Sequence, residues 1–244
     1  MSFEVNAMRL GLFTDPHYST KELACKTRRP SLSYGKIREA MEHFVSENVD
    51  AVICLGDLVD DCGSREENVE AIKRITDLIR SFDIPFYCMM GNHDYQNFTR
   101  SEFNEYTDGA YPPFSLEIGE SLLILLDCNY RKCGRIYAPG DVDWKDTRLP
   151  EDQLSKMREL IVNNPERDVY VLSHQNIDST IRADHVTDNA DDIRAILNSY
   201  ANVRTVIQGH YHRGNDNVID GIKYHTLPAM CEGEGNYFEI YEVK

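Results

Sequence analysis

The stretch Ala51-Val52-Ile53-Cys54-Leu55-Gly56-Asp57 contains the pattern on which the fold depends. Its apolar run predicts a buried strand, and the Gly-Asp pair marks the point where that strand ends. An apolar strand followed directly by polar residues recurs along the chain. Because ligands of α/β sheets bind beyond the carboxyl ends of the strands, such endings predict one shared site.

Four further apolar runs end in the same manner. Their endings are Asp15-Pro16-His17, Gly91-Asn92-His93-Asp94, Ser173-His174 and Gly209-His210-Tyr211-His212. Of the 8 histidines in the chain, five belong to these endings. Distant segments could therefore deliver Asp, Asn and His side chains to one place.

Helical patterns separate most of the strands, which predicts the α/β class. Apolar spacing indicates a helix from Ser33 to Glu47, and the capping box Ser64-Arg65-Glu66-Glu67 opens another. The region from about 95 to 150 is looser, with a strand pair at 116–118 and 122–126. The length of 244 residues predicts a single domain over residues 1–244.

The chain is strongly acidic, with 26 basic and 41 acidic side chains and a net charge of −15. Such a surface repels phosphate backbones, so we expect no nucleic-acid partner. No apolar run approaches the roughly 20 residues that span a bilayer, so we expect no membrane partner. The start Met1-Ser2-Phe3-Glu4 lacks the basic and apolar regions of a secretory signal.

Cysteine usage indicates a reducing compartment. There are 7 cysteines, an odd number, and no Cys-x-x-Cys pair occurs. Neither a disulfide framework nor a cysteine-based zinc site is expected, and a cytoplasmic location fits better.

The side chains at the strand endings suit borderline divalent metals such as Mn, Fe or Zn. Asp15-x-His17 and His210-x-His212 each project two side chains to one side of an extended segment. The endings offer more donors than one tetrahedral ion needs. They suit two ions that share a carboxylate, with a histidine left for catalysis.

The ordered blocks Asp-x-His, Gly-Asp-x-x-Asp, Gly-Asn-His-Asp, His and Gly-His-x-His resemble the calcineurin-like metallophosphoesterases. In this chain they run from Asp15 to His212. The resemblance implies an α/β fold in which two mixed β-sheets pack as a sandwich flanked by helices. It also implies a metal site at the carboxyl ends of the strands.

The resemblance further implies a role for each matched residue. The first metal would be held by Asp15, His17 and His212, and the second by Asn92, His174 and His210. Asp57 would bridge them. His93 would face the substrate as general acid or phosphate contact, and Asp60 would orient His93.

A closer resemblance concerns the manganese-dependent ADP-ribose/CDP-alcohol diphosphatases. It rests on Lys26-Thr27-Arg28-Arg29, on the residues after Asn92 and Gly209, and on 226–236. It favours Mn and makes Lys26, Arg28 and Arg29 candidates for binding a second phosphate. Asp94 is expected to cap a turn, and no role is assigned to His185 or His225.

These observations predict a phosphohydrolase with two divalent ions that cleaves a phosphodiester or diphosphate in a small nucleotide-like substrate. Metal-generated hydroxide would attack phosphorus in line. A phosphomonoesterase and a cyclic-nucleotide phosphodiesterase are alternatives with the same site. An interaction scaffold is the alternative outside enzymes, and the complete set of ligand positions argues against it. The oligomeric state is left open.

Overall fold

The computed structural model describes residues 7–243. The interpretation that no secretory signal is present concerns residues 1–6 and lies outside this range. Among the described residues, no helix is long and apolar enough to cross a membrane. All 7 cysteines of the sequence are free thiols in the structure.

Strands and helices alternate through the first half of the chain. The elements there are β1 (Met8–Phe13), α1 (Ser33–Ser46), β2 (Ala51–Cys54), α2 (Arg65–Arg80), β3 (Phe86–Cys88), α3 (Asn92–Asn97), α4 (Arg100–Tyr106), β4 (Ser115–Ile118) and β5 (Ser121–Leu126). The second half contains α5 (Glu151–Asn163), β6 (Asp168–Ser173), α6 (Ala190–Leu197), β7 (Val203–Gln208), β8 (Asn215–Ile219), β9 (Ile222–Thr226) and β10 (Glu239–Val243).

The strands form two mixed sheets. The first has the order β10-β1-β2-β3, and the second has the order β4-β5-β6-β7-β9-β8. The inner strands are parallel within each sheet, whereas β10, β4 and β8 are antiparallel edge strands. The turn at Asp220-Gly221 joins β8 to β9 as a hairpin.

Side chains alternate between the two faces of each strand, so each sheet has an inner and an outer apolar face. The result is four layers, with the two sheets in the middle and helices on both outer sides. In β1, Leu10 and Leu12 belong to a core that also contains Leu123 and Leu172 of the second sheet. Phe13 faces the opposite side, where α1 and α2 cover the first sheet. Helices α5 and α6 cover the outer face of the second sheet. The predicted class, two mixed sheets packed as a sandwich flanked by helices, is therefore confirmed.

The region from 95 to 115 is more ordered than the sequence pattern predicts. It contains α3 and α4, and α4 begins with a capping box in which Thr99 and Glu102 hydrogen-bond to each other's backbone N–H. The Thr-x-x-Glu spacing was the available signal. It is easily overlooked because both helices are short and carry little apolar periodicity.

Candidate metal centre

The candidate centre lies where the carboxyl ends of the parallel strands meet. The turns after β1 and β2 are joined by a hydrogen bond from Asp15 N to Gly56 O of 3.0 Å. The turns after β6 and β7 are joined by a bond from Gly209 N to His174 O of 3.2 Å. A bond from His210 N to Asp15 Oδ2 of 2.9 Å connects the two pairs of turns. Both sheets thus contribute to one group of loops, as the strand endings predict.

Four of the candidate ligands have a left-handed backbone. The φ angles are 50° at Asp15, 46° at His17, 54° at Asp57 and 63° at His210. Residues other than glycine rarely adopt this region, and those that do are concentrated at functional sites. The sharp turns direct successive side chains back toward the sheet ends.

The neighbouring glycines are required by close packing. A Cβ on Gly91 would lie 2.6 Å from the backbone nitrogen of Asp57. A Cβ on Gly56, whose φ is +115°, would lie 2.6 Å from Nδ1 of His174. Neither position has room for a side chain, so both glycines allow the ligand-bearing turns to approach one another.

The first group of donors comes from the turns after β1 and β7. The Nε2 atoms of His17 and His212 face each other at 3.3 Å. Oδ1 of Asp15 lies 3.6 Å from Nε2 of His17 and 3.4 Å from Nε2 of His212. Nδ1 of His212 is bound by Glu232 Oε1 at 2.6 Å, which orients the ring.

The second group lies on the other side of Asp57. Oδ2 of Asp57 is 3.4 Å from His17 Nε2 and 3.4 Å from His174 Nε2. Ligand atoms of Asp57, His174 and His210 lie within 4.8 Å of one another, as do those of Asp15, His17 and Asp57. One carboxylate therefore belongs to both groups.

Several donors of this centre point inward without a hydrogen-bond partner. Among the described residues, the buried atoms in this condition include Asp15 Oδ1, Asn92 Oδ1, His174 Nε2 and His210 Nε2. A buried polar atom without a partner is costly, so such atoms are uncommon unless an ion binds them. Carboxylate, amide and imidazole donors match the preference of Mn, Fe or Zn, so the donor set fits divalent metals.

Burial and the neighbouring carboxylates shift the pKa values of the histidines of the centre in opposite directions. Burial opposes protonation of His174, but the carboxylates of Asp57 and Asp15 outweigh it and raise its pKa to about 9. Burial likewise opposes protonation of His212, whose pKa is raised to about 12, chiefly by Asp15. Burial lowers the pKa of His17 to about 4 and that of His210 well below its usual value.

His93 stands beside the two groups at the start of α3. Its backbone N–H donates to Asp57 Oδ1 at 2.7 Å, and its Nδ1 lies 3.0 Å from Asp60 Oδ1. Its Nε2 lies 3.4 Å from Nη1 of Arg28. The imidazole is thus held by Asp60 on one side, while its other nitrogen is directed to the cleft that Arg28 lines.

Asp94 stabilises the loops beneath the candidate ligands. Its carboxylate accepts backbone N–H bonds from Leu58, Val59 and Gly91 at 3.2, 3.2 and 2.9 Å. Burial and the charge of Asp57 raise the pKa of Asp94 to about 7. It thus joins the turn after β2 to the turn after β3.

The centre opens into a cleft of about 380 Å³. Of the three basic residues proposed for phosphate binding, Arg28 lines the cleft, and Lys26 and Arg29 are not among its lining residues. The cleft is also lined by side chains that sequence reasoning missed, namely Trp144, Lys145, Arg182, Asp184, His185 and Glu232. Glu232 lies in the stretch 226–236 that carries the closer resemblance. No motif surrounds the others, so their proximity in space was the only signal.

The fold and the donor set together define a metal-dependent phosphoesterase architecture. The family profile described as Calcineurin-like phosphoesterase matches residues 8–214. The chain therefore belongs to the calcineurin-like phosphoesterase family, and the prediction of a metal-dependent hydrolase is confirmed.

Curated relatives and solved structures agree with this assignment. The chain is 25% identical over 240 residues to a 3',5'-cyclic adenosine monophosphate phosphodiesterase, CpdA, of Haemophilus influenzae, covering 93% of this chain and 78% of the relative. It is 24% identical over 225 residues to a manganese-dependent ADP-ribose/CDP-alcohol diphosphatase of Oryza sativa, covering 76% and 70%. A dimetal phosphatase from Danio rerio has the same fold, with a TM-score of 0.84 and 18% identity over 97% of this chain and 92% of that chain.

Proposed function

We propose that this protein hydrolyses a phosphodiester or diphosphate bond in a small nucleotide-like substrate, with two divalent ions, within a single domain. The observation that carries the proposal is the position of Asp57, whose carboxylate lies between two groups of donors. A carboxylate shared in this way is what a two-ion site needs.

In this proposal Asp15, His17 and His212 hold one ion. The second ion would be held by Asn92, His174 and His210, and the two donor groups would share Asp57. Two such ions supply a nucleophile at neutral pH and neutralise the phosphoryl oxygens. Manganese is favoured because a relative is named as manganese-dependent and the donors match its preference.

His93 is the proposed proton donor to the leaving oxygen. The side chain of His93 is 29% exposed, so a substrate in the cleft can contact it. The side chain of His17, by contrast, is fully buried. Asp60 keeps the ring in position through Nδ1, which leaves Nε2 for the substrate. A general acid in reach of the leaving group is worth roughly 10²–10⁴ in rate.

The substrate class is supported by the cleft and by the relatives. A volume of about 380 Å³ suits a small ligand rather than a polymer. Arg28 places a guanidinium beside His93, where it can bind a phosphate oxygen. The relatives include both a cyclic AMP phosphodiesterase and an ADP-ribose/CDP-alcohol diphosphatase.

A second candidate is a cyclic-nucleotide phosphodiesterase. It is favoured by the cyclic AMP relative, which aligns with 93% of this chain. It would use the same ions and the same proton donor, and it differs only in the bond that is cleaved. A reducing cytoplasmic location is part of either proposal and is supported by the free thiols.

The experiment is a hydrolysis screen of the purified protein with Mn²⁺, Fe²⁺ or Zn²⁺. Substrates are ADP-ribose, CDP-choline, cyclic AMP, bis-p-nitrophenyl phosphate and p-nitrophenyl phosphate. Preference for the first two supports a diphosphatase, and preference for cyclic AMP supports the second candidate. Preference for p-nitrophenyl phosphate would indicate a phosphomonoesterase. Metal binding without turnover of any substrate would contradict the proposed hydrolase activity and favour an interaction scaffold.

A further inference from the structure

We propose that Trp144, Lys145, Arg182 and His185 form a subsite for the nucleobase and the second phosphate of a diphosphate-linked nucleotide. We refer to these four residues as the Trp144 wall. The inference rests on the proposed function and specifies its substrate. None of the four belongs to the sequence blocks that carry the metal donors.

The Trp144 wall is contiguous with the metal centre. The ring of His210 lies 5.1 Å from that of His185 and 5.7 Å from that of Trp144, measured between centroids. Trp144 and His185 are themselves 5.0 Å apart. A nucleotide whose phosphate lies at the metal donors is therefore long enough to reach the indole of Trp144.

The charge of the wall matches a phosphate. Asp184 Oδ2 lies 2.6 Å from Arg182 Nη2 and 3.9 Å from Lys145 Nζ, so one carboxylate faces two cations. Both cationic side chains are more than half exposed in the cleft. An anion that enters the cleft meets an excess of positive charge here, in a protein whose net charge is −15.

The indole offers a stacking surface for a base. Both rings that contact Trp144 meet it at steep angles, 64° for His185 and 63° for His210. Lys145 Nζ lies over the indole ring, 4.9 Å from its centroid, so in this proposal the base stacks on the face that the ammonium does not cover. Tryptophan binds bases through its face without reading their sequence.

The wall is built before any ligand arrives. Arg131 pairs with Asp141 and with Asp146, which folds the segment before and after Trp144. A backbone bond from Asp188 N to Thr147 O of 2.8 Å joins this segment to the one that carries Arg182 and His185. Positioning these side chains in advance lowers the entropic cost of binding.

Two cationic groups at separate places in the cleft favour a diphosphate over a cyclic nucleotide. Arg28 contacts His93, whereas the wall contacts His210, and both line the same cleft. A cyclic nucleotide carries a single phosphate, so it would leave one of these two cationic groups without a phosphate to bind. In the diphosphate, a water oxygen bonds to one phosphorus, the bridging P–O bond breaks, and the bridging oxygen takes a proton. Two phosphomonoesters result.

The first test uses the fluorescence of Trp144, the single tryptophan of the chain. The intact protein is titrated with ADP, with inorganic pyrophosphate and with ribose 5-phosphate, both with Mn²⁺ and after chelation. ADP is expected to quench the emission in a saturable manner, and the two compounds without a base are expected to quench far less. Equal responses to ADP and pyrophosphate, or no response to ADP, would overturn the stacking role.

The second test separates KM from kcat in variants. Trp144→Leu is expected to raise the KM for ADP-ribose roughly tenfold or more, because loss of base stacking has effects of this order. Trp144→Phe retains an aromatic face for stacking, so it should raise the KM for ADP-ribose less. Lys145→Ala with Arg182→Ala should raise the KM for ADP-ribose more than that for cyclic AMP. Arg204→Ala, which removes an exposed pair with Asp168 at the amino end of β6, is the control.

Failure of this inference differs from failure of the proposed function. If the protein hydrolyses ADP-ribose but the wall variants leave its KM unchanged, the subsite is wrong and the function stands. If ADP quenches Trp144 but no phosphoester is cleaved with any metal, the subsite stands as a binding site and the hydrolase is wrong. Equal KM effects on ADP-ribose and cyclic AMP would overturn the second-phosphate role.

Discussion

The metal centre and the Trp144 wall lie side by side, yet they are built in different ways. The centre consists of buried side chains on tight turns directly after strands, such as Asp15, Asp57 and His174. The wall consists of partly exposed side chains on long segments held by ion pairs. The comparison indicates that the chemistry depends on the sheets, whereas substrate choice depends on the connecting loops.

The largest effect is expected from Asp57→Ala. Removal of the shared carboxylate should abolish turnover and lower metal content, because both donor groups lose the same ligand. Metal analysis and kcat with Mn²⁺ measure this, with Asp192→Ala, an exposed acid in the first turn of α6, as control. Near-normal rates in Asp57→Ala would refute a two-ion site.

Gly91→Ala tests whether the centre depends on close approach of the turns. The added Cβ would meet the backbone of Asp57, so we expect weaker metal retention and a loss of activity nearly as large. Gly35→Ala is the matched control, because its Cβ meets nothing within 4 Å and it lies in α1. That control should keep full activity and gain up to about 1 kcal/mol of stability. Equal behaviour of the two variants would argue against a rigid centre.

His93→Ala should separate catalysis from metal binding. We expect the metal content to be retained and kcat to fall by roughly 10²–10⁴ for poor leaving groups, since the proton donor is lost. The loss of kcat should be smaller for p-nitrophenyl esters, because p-nitrophenolate can leave without being protonated. Asp60→Asn should give a smaller loss because the ring remains but is held less firmly. Loss of metal from His93→Ala would contradict its assignment as proton donor.

The smallest effect is expected from Arg131→Ala, which acts on the wall alone. Loss of its pairs with Asp141 and Asp146 should loosen the segment around Trp144. The KM for ADP-ribose should rise a few-fold with metal content and kcat little changed. A fall in metal content would show that the wall and the centre are not independent.

The part of the fold that follows from local pattern was predictable. The α/β class, the strand at 51–54 and the capped helix after Ser64 all appear where apolar spacing places them. Helices α3 and α4 were missed because they are short, and the Thr99 capping box was their only clear signal. The candidate donor residues could be predicted because each follows a strand, and the carboxyl ends of parallel strands converge. Their role as metal ligands stays a prediction.

His185 and Trp144 illustrate what the linear chain leaves out. His185 is separated from its neighbour Trp144 by a helix and a strand, and neither residue stands in a motif. Arg28 faces the cleft although Lys26 and Arg29 in the same basic stretch are not among its lining residues. The apolar periodicity of strands and helices does not predict such contacts, because loop residues follow no fixed period.

The strand endings, the types of donor side chain and the family can be inferred from the amino-acid sequence alone. These depend on hydrophobic periodicity and on residues next to one another in the chain, which folding preserves. The resemblance implied the places of Asp57 and Asp60, and the folded structure supplies the distances to their neighbours. The aromatic and cationic wall beside the centre is visible in the folded structure alone. Such contacts join residues far apart in the chain, and they exist only after the two sheets have packed together.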